Sequence, residues 1–379
     1  MLTRRELLHR ASATTAGLAL LPSPSARAET GPSKVPPFTK TIIDGKPRER
    51  GRRYGKEFSD GIGAFLEKEI WKPFIGKPAT REEMVRYAAA CGLEIKKFSP
   101  IIHDELEGMA EGSGLRLEEL ILITLHEELY HKAPLPKLPH CTAVAAGPPV
   151  TAGGGIVGQT WDWMESVFGL SSVLHWKRSE GPSLLAYAFP GLWAGAGLNS
   201  AGLALCWTSA ALGEKGQEPR VGIPSYVLLT HLLYQETLDA AAEEAKRAPC
   251  AGWFTFVMGD SKGNLLNIEG SPTKLATERP RGRLCRVGFG SQAMTGASAA
   301  QPVKLHARCE KVYDLMVAAS GKVDRRSLQA WFEDPKGGIA VGKGTIDLMV
   351  FDTTAREAHL SRGPSYGVHW QKFAFADRD

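Results

Sequence analysis

The sequence predicts a layered α+β sandwich, and three observations carry that expectation. Apolar residues recur at helical intervals over residues 48–131. The period shifts toward two after the proline-studded stretch APLPKLP at 133–139. The strands beyond it fall into two groups with long helices between them. A Rossmann arrangement would need regular strand and helix alternation after a glycine-rich first turn, and that pattern is missing.

The first part reads as four helices. RERGRRYGKEFSDGIGAFLEKEIW (48–71) carries its apolar residues on one side, and TREEMVRYAAACGLEIKKF (80–98) opens with Thr80 and Glu83 in capping-box positions. Ser99 and Pro100 start a third helix that ends near the glycines of EGSG, and LEELILITLHEELYH (117–131) makes a fourth. After the prolines, CTAVAAG, GGIVGQTWDW, SSVLHWKR, SLLAYAFPG and GLNSAGLALCW read as successive strands with glycine- or proline-rich turns. Helices are expected at 224–234 and 238–247, the second stopped by Pro249. WFTFVMGDSKGNLLNIEG reads as a hairpin turning at 260–263. Helices at 302–319 and 327–332 and a final hairpin, TIDLMVFDTTAREAHLSRG, close the chain.

With 379 residues, 43% of them hydrophobic and 23% charged, the chain can bury a sizeable core. Its formal charge of +5 is concentrated at the start, where Arg4, Arg5, Arg10 and Arg27 outweigh Glu6. What remains is too little for a phosphate-binding surface, so no nucleic-acid partner is expected. The opening MLTRRELLHRASATTAGLALLPSPSARAET pairs arginines with an apolar run at 11–21 and small residues near Ala28. It resembles a twin-arginine export signal spanning 1–28, which implies a periplasmic or extracellular protein. No later stretch reaches 18 uninterrupted apolar residues, so no membrane anchor is expected in the mature form.

Two motifs invite metal or nucleotide readings and fail on geometry. In HEELYH, His126 and His131 are five residues apart, roughly 140° around a helix, whereas a zinc-binding HExxH needs four. GGIAVGKGT nearly spells a phosphate loop, but Gly344 stands where a magnesium-binding hydroxyl belongs and no apolar strand leads in. Neither a metal nor a cofactor is expected. The six cysteines include no CxxC pair, which leaves no zinc-knuckle or thioredoxin-type spacing.

Cys141 is the distinctive residue, standing in PLPKLPHCTAVAAG where the prolines give way to an apolar strand. A thiol nucleophile needs a base, ordinarily a histidine. If the peptide bond before Cys141 were cut, the new α-amino group would sit on the same residue with a pKa of roughly 7.7 to 8.0, suited to take and return the thiol proton.

HCTAVAAG followed by GQTWDW resembles the acyl-coenzyme A:6-aminopenicillanic-acid acyltransferase (isopenicillin-N acyltransferase) family. These are N-terminal-nucleophile cysteine hydrolases related to the choloylglycine and penicillin V hydrolases. RERGRRYGKEF, LEGMAEGSGLRLEELILIT, GLNSAGLALCW, VGIPSYVLLTHLLYQ, NIEGSPTKL and VFDTTAREAHLSRGPS follow the family's order. The resemblance implies a four-layer αββα fold and self-cleavage between His140 and Cys141. The products would be a helical small chain (29–140) that stays as a partner and a catalytic domain (141–379). It implies an N-acyl small molecule as substrate, resolved by water or by an amine. By position, Cys141 matches the nucleophile, Asp162 the acid that holds the freed amine, and Asn199 a donor facing the reacting carbonyl. Gln159 and Trp161 match residues shaping the floor, and Arg308 matches a helix arginine anchoring the site. Trp193, Phe189 and Trp253 are candidates for the pocket wall.

The sequence departs from the family at several places. His140 replaces the usual glycine before the nucleophile, and Thr160 replaces an asparagine. Gly288 stands where an oxyanion-donating asparagine belongs, leaving Ser291, Gln292 or a backbone amide for that role; the family's SICR stretch is replaced near GIAVGKG. Two other readings stay open. One is an exported, non-catalytic binding protein on the same scaffold; the other is a Cys/His protease drawing on His175, His231 or His369.

Overall fold

A computed structural model describes residues 35–76, 79–132, 140–210, 218–298, 303–319 and 321–375. The expected export signal at 1–28 and the linker prolines lie outside the described residues. A short strand, β1 (Lys40–Ile43), comes first and helices follow: α1 (Pro47–Glu57), α2 (Ser59–Phe65), a π-helical turn at Leu66–Trp71, α3 (Lys72–Phe74), α4 (Arg81–Phe98), α5 (Pro100–Ser113), α6 (Leu117–Thr124) and α7 (His126–Lys132). Next come β2 (Thr142–Ala146), β3 (Ile156–Asp162), β4 (Ser172–Trp176), β5 (Leu184–Phe189), β6 (Leu192–Asn199) and β7 (Leu203–Thr208). Helices α8 (Ser225–Leu233) and α9 (Leu238–Arg247) lead to β8 (Phe254–Asp260), β9 (Leu265–Gly270), β10 (Leu275–Glu278) and β11 (Arg283–Arg286). The chain continues through α10 (Gln292–Thr295), α11 (Ala307–Ala318) and α12 (Arg325–Glu333) to β12 (Thr345–Asp352), β13 (Glu357–Arg362) and β14 (Gln371–Ala374).

The strands form two sheets, ordered β1-β4-β5-β6-β7-β8-β9-β10 and β11-β2-β3-β12-β13-β14. All neighbours are antiparallel except β1 and β4. Strands β2 and β3 face β7 and β8 across the middle of the molecule, while α8 and α9 cover one outer surface and α11 and α12 the other. The result is the expected α+β layering of helix, sheet, sheet and helix. Central strands are therefore buried on both faces, which is why TAVAA in β2 and LALCWT in β7 show no polar alternation.

Helix starts follow their local chemistry. Thr80 Oγ1 accepts from the Glu83 amide at 3.2 Å and Glu83 accepts from the Thr80 amide at 2.8 Å, so the expected capping box closes. Helix α5 ends at Gly114 in the left-handed conformation. The glycines of RERGRRYGKEF and LEGMAEG have a packing reason. A Cβ on Gly51 would stand 2.0 Å from the Glu105 carbonyl oxygen, and one on Gly108 would stand 2.0 Å from that of Arg48. Helices α1 and α5 thus cross backbone to backbone, and the crossing buries Arg50 against Glu105. Tyr234 and Trp176 donate to the same carboxylate, tying the helical segment to the larger sheet.

The structure differs from the sequence reading in several places. The first helix, expected over 48–71, is broken at Phe58 (φ −110°, ψ 17°) and passes through α2 into the π-helical turn. The fourth helix is two, because Leu125 closes α6 with ψ near 8° before α7 restarts. GLNSAGLALCW is a hairpin, β6 turning into β7. Helix α11 begins at Ala307 instead of 302. Strands β1, β10, β11 and β14, four residues each, went unread because so short a strand leaves no period to detect. Among the described residues no helix is long and apolar enough to cross a membrane.

The α1/α5 crossing generates a stability prediction. Gly51→Ala is expected to cost about 3 kcal/mol, at the upper end for overpacking. Gly63→Ala, whose Cβ meets nothing within 4 Å, should be neutral or stabilising. Urea midpoints of the two variants check this.

Candidate active site

Antiparallel pairing of β2 with β3 sets Thr142 opposite Thr160 and Ala143 opposite Gln159, which brings Cys141 beside the end of β3. The Asp162 amide reaches the Cys141 Sγ at 3.4 Å. Strand alternation then divides the neighbours between two faces. Gln159 turns toward the other sheet, where its Oε1 accepts from the Trp207 amide at 2.9 Å, and the Trp161 ring lies 6.1 Å from that of Trp207. Asp162 turns toward α11.

There the Asp162 carboxylate is held by Thr345 and Arg308, with Thr160 beside them. Thr345 Oγ1 donates to Oδ1 at 2.6 Å and Arg308 Nη1 donates to Oδ2 at 2.7 Å. The same Nη1 lies 2.7 Å from the carbonyl oxygen of His140 and 3.1 Å from Thr142 Oγ1. Arg308 is the second residue of α11, and the helix entry is fixed by His306, whose Nδ1 accepts from the Arg308 amide at 3.2 Å. A guanidinium thus bridges a buried carboxylate and the carbonyl of the peptide bond before Cys141.

Burial decides the protonation states. The Cys141 thiol is pushed up to about 12 by desolvation, reinforced by the Asp162 charge and opposed by the Asp162 amide and the Gln159 side chain. It is a neutral thiol at pH 7. Desolvation likewise raises Asp162 to about 6, although Arg308 and Thr345 pull it down.

On the other side of Cys141, Thr208 Oγ1 donates to the Cys141 carbonyl at 2.9 Å, and the Gly288 amide lies 3.4 Å from that hydroxyl. Gly288 has φ +76°, a left-handed value that a side chain adopts only with strain. Its loop is pinned by the buried Glu269 of NIEG, which accepts from the Gly290 and Ser291 amides, the Ser291 hydroxyl and Arg286. Ser291 is therefore committed to Glu269 and to capping α10, and Gln292 is exposed; neither supplies the oxyanion donor considered for them.

Asn199 requires a correction. Its Nδ2 donates to the Leu233 and Gln235 carbonyls at 2.9 and 2.7 Å, and its Oδ1 accepts from the Leu203 amide at 2.9 Å. It staples the β6–β7 turn to the end of α8, with all of β7 between it and Thr208, and is not a donor to the reacting carbonyl. Nor do the protease candidates gather at Cys141. His231 lies between Ser99 and Glu244, His175 packs its ring against Phe375, and the His369 amide bonds Ser361 on β13.

The sequence reading missed a polar group on α7. The Ser209 hydroxyl donates to Glu127, and His131 Nε2 lies 2.9 Å from Glu127 Oε1 and 3.4 Å from Ser209 Oγ. The His140 ring bonds the Ser209 carbonyl, and burial lowers its pKa. Along HEELYH, His126 packs against Phe65, Phe74 and Trp163 while Glu127 and His131 turn to Ser209. Thr345 was missed too, hidden behind the GGIAVGKG turn. The signal for both was a polar residue beside an apolar stretch, which is common and unspecific. A cluster of metal-ligand type, His103, Asp104 and Glu107, lies on α5, where Glu107 already pairs with Arg48.

No family model matches the chain. Among solved structures, penicillin V acylase from Agrobacterium tumefaciens aligns with a TM-score of 0.41 at 14% identity, covering 61% of this chain and 85% of that one. Two variants of conjugated bile acid hydrolase from Clostridium perfringens align with TM-scores of 0.40 and 0.39 at 13% and 12% identity, covering 62% of this chain and 97% of theirs.

The raised carboxyl of Asp162 has a measurable consequence. A folded pKa near 6 above an ordinary 3.8 means that its contribution to stability is present below about pH 4 and is lost as pH rises through 6. Asp162→Asn lacks that loss, so its stability relative to wild type should climb between pH 4 and 6 and level off above. Paired thermal melts across that range would show a flat difference if the carboxyl were unperturbed.

Proposed function

We propose that this protein is a self-processing amide hydrolase, with Cys141 as its nucleophile and, after cleavage, its new N-terminus. The observation that carries the reading is the Arg308 guanidinium on the His140 carbonyl, with the Cys141 thiol on the next residue. In the uncut chain Sγ attacks the His140 carbonyl carbon, and negative charge develops on the oxygen that Arg308 already contacts. The carbon–nitrogen bond breaks, and the Cys141 nitrogen receives the proton that the thiol released. The thioester that results is hydrolysed by water, leaving a His140 carboxylate and a free α-amine on Cys141.

The same atoms then serve a substrate. The α-amine, with an ordinary pKa of roughly 7.7 to 8.0, takes the thiol proton that burial otherwise holds in place. Sγ attacks the acyl carbon of an N-acyl amide, the amine proton passes to the leaving nitrogen, and water resolves the second thioester. Asp162, held between Arg308 and Thr345, fixes the guanidinium and offers a counter-charge to the new terminus. Trp161, Trp163, Phe189 and Trp207 provide an aromatic wall on the inter-sheet side. Hydrolysis is favoured over acyl transfer because the opening 28 residues resemble an export signal and an exported enzyme meets little coenzyme A.

Intact mass and N-terminal sequencing of the purified protein, beside a Cys141→Ala control, test the proposal. It predicts a new terminus at Cys141 that is absent from the control. A chain that stays uncut would remove the free amine and with it this mechanism.

A further inference from the structure

Two cysteines that the proposed chemistry does not use meet across the interface between β11 and α11. Cys285 and Cys309 are both buried, at 1% and 3% exposure, in one apolar cluster, where burial and the neighbouring Cys309 thiol push the Cys285 thiol up. Strand and helix approach within 8 Å, Cα to Cα, and the Tyr313 hydroxyl of α11 donates to the Cys285 amide at 3.1 Å, which fixes the two elements in register. Both cysteines also belong to the lining of a surface groove of about 580 Å³, together with Phe289 and Leu305. The other thiols differ: Cys206 sits in the core beside Cys141, and Cys250 donates to the Ala248 carbonyl. A metal is a poor occupant, because among the described residues no third histidine, cysteine or carboxylate joins the pair in a ligand cluster.

We propose that Cys285 and Cys309 form a redox-active dithiol that closes to a disulfide when the folded protein meets a low-molecular-weight disulfide. One thiolate attacks the reagent, forming a mixed disulfide and expelling one thiol. The second protein thiolate then attacks the protein-bound sulfur, forming the Cys285–Cys309 bond and expelling the other thiol. Two protein thiols are oxidised, one reagent disulfide is reduced to two thiols, and the protons balance. The bond ties the first turn of α11, which carries Arg308, to the strand beside β2, which follows Cys141. Oxidation thereby locks the guanidinium over its partners. A chain exported already folded would meet the oxidant only after export. None of this depends on Cys141 being catalytic.

The test is a peptide map of the folded full-length protein after incubation with glutathione disulfide, quenching of remaining thiols with iodoacetamide, and digestion without reductant. The expected product is one linked pair of peptides carrying Cys285 and Cys309, about 2 Da lighter than the two reduced peptides, and restored by dithiothreitol. In Cys309→Ser the pair should vanish and Cys285 should carry glutathione instead. Amide exchange over residues 307–312 should be slower in the oxidised form than after reduction. Recovery of both cysteines alkylated and unlinked from the wild-type protein, which needs no variant to fold, would overturn the proposal; so would Cys285 linked to a different cysteine. Equal exchange in the two forms would overturn the locking of Arg308.

Discussion

The contact between the Arg308 guanidinium, the Asp162 carboxylate and the His140 carbonyl is the constraint on which the rest of the site depends. Burying Asp162 without a cation would leave an unpaired charge or force it neutral, and burying Arg308 without a carboxylate would cost more still. Each ion therefore requires the other, and together they fix where the peptide bond before Cys141 must lie. The remaining donors complete the arrangement: Thr345 holds the second carboxylate oxygen, and Thr208 holds the carbonyl of Cys141 itself.

The layers supply those groups from distant parts of the chain. Asp162 comes from β3 in the smaller sheet, Thr208 from β7 in the larger, Arg308 from an outer helix and Thr345 from the start of β12. Sheet-on-sheet packing brings β3 and β7 face to face, and antiparallel pairing of β2 with β3 sets the thiol against the Asp162 amide. A one-residue slip of β2 would turn its side chains to the other face and carry the thiol away from that amide. The helical segment upstream takes part as well, because α7 presents Glu127 and His131 to Ser209, the residue after Thr208.

Much of the layering was legible in the sequence, because period and turn chemistry are local. Helix α9 and the Thr80–Glu83 capping box needed no tertiary information. Cys141, Asp162, Gln159 and Arg308 were singled out by motif, and the structure brings all four together. Asn199 was misassigned for a physical reason: a buried asparagine beside a strand suits an oxyanion donor and a turn staple equally well, and only its three partners decide. Thr345 and Ser209 were invisible because a hydroxyl acquires a role only from what faces it. His140 stands where a glycine was expected, and its ring bonds the Ser209 carbonyl while its own carbonyl meets Arg308.

The most direct measurement is a time course of cleavage before Cys141 in refolded wild-type protein and in Arg308→Ala, with near-ultraviolet circular dichroism verifying that both fold. The account predicts that the variant cuts roughly 10² to 10³ times more slowly, the usual cost of losing one oxyanion donor. Cleavage at the wild-type rate in a folded Arg308→Ala would contradict it.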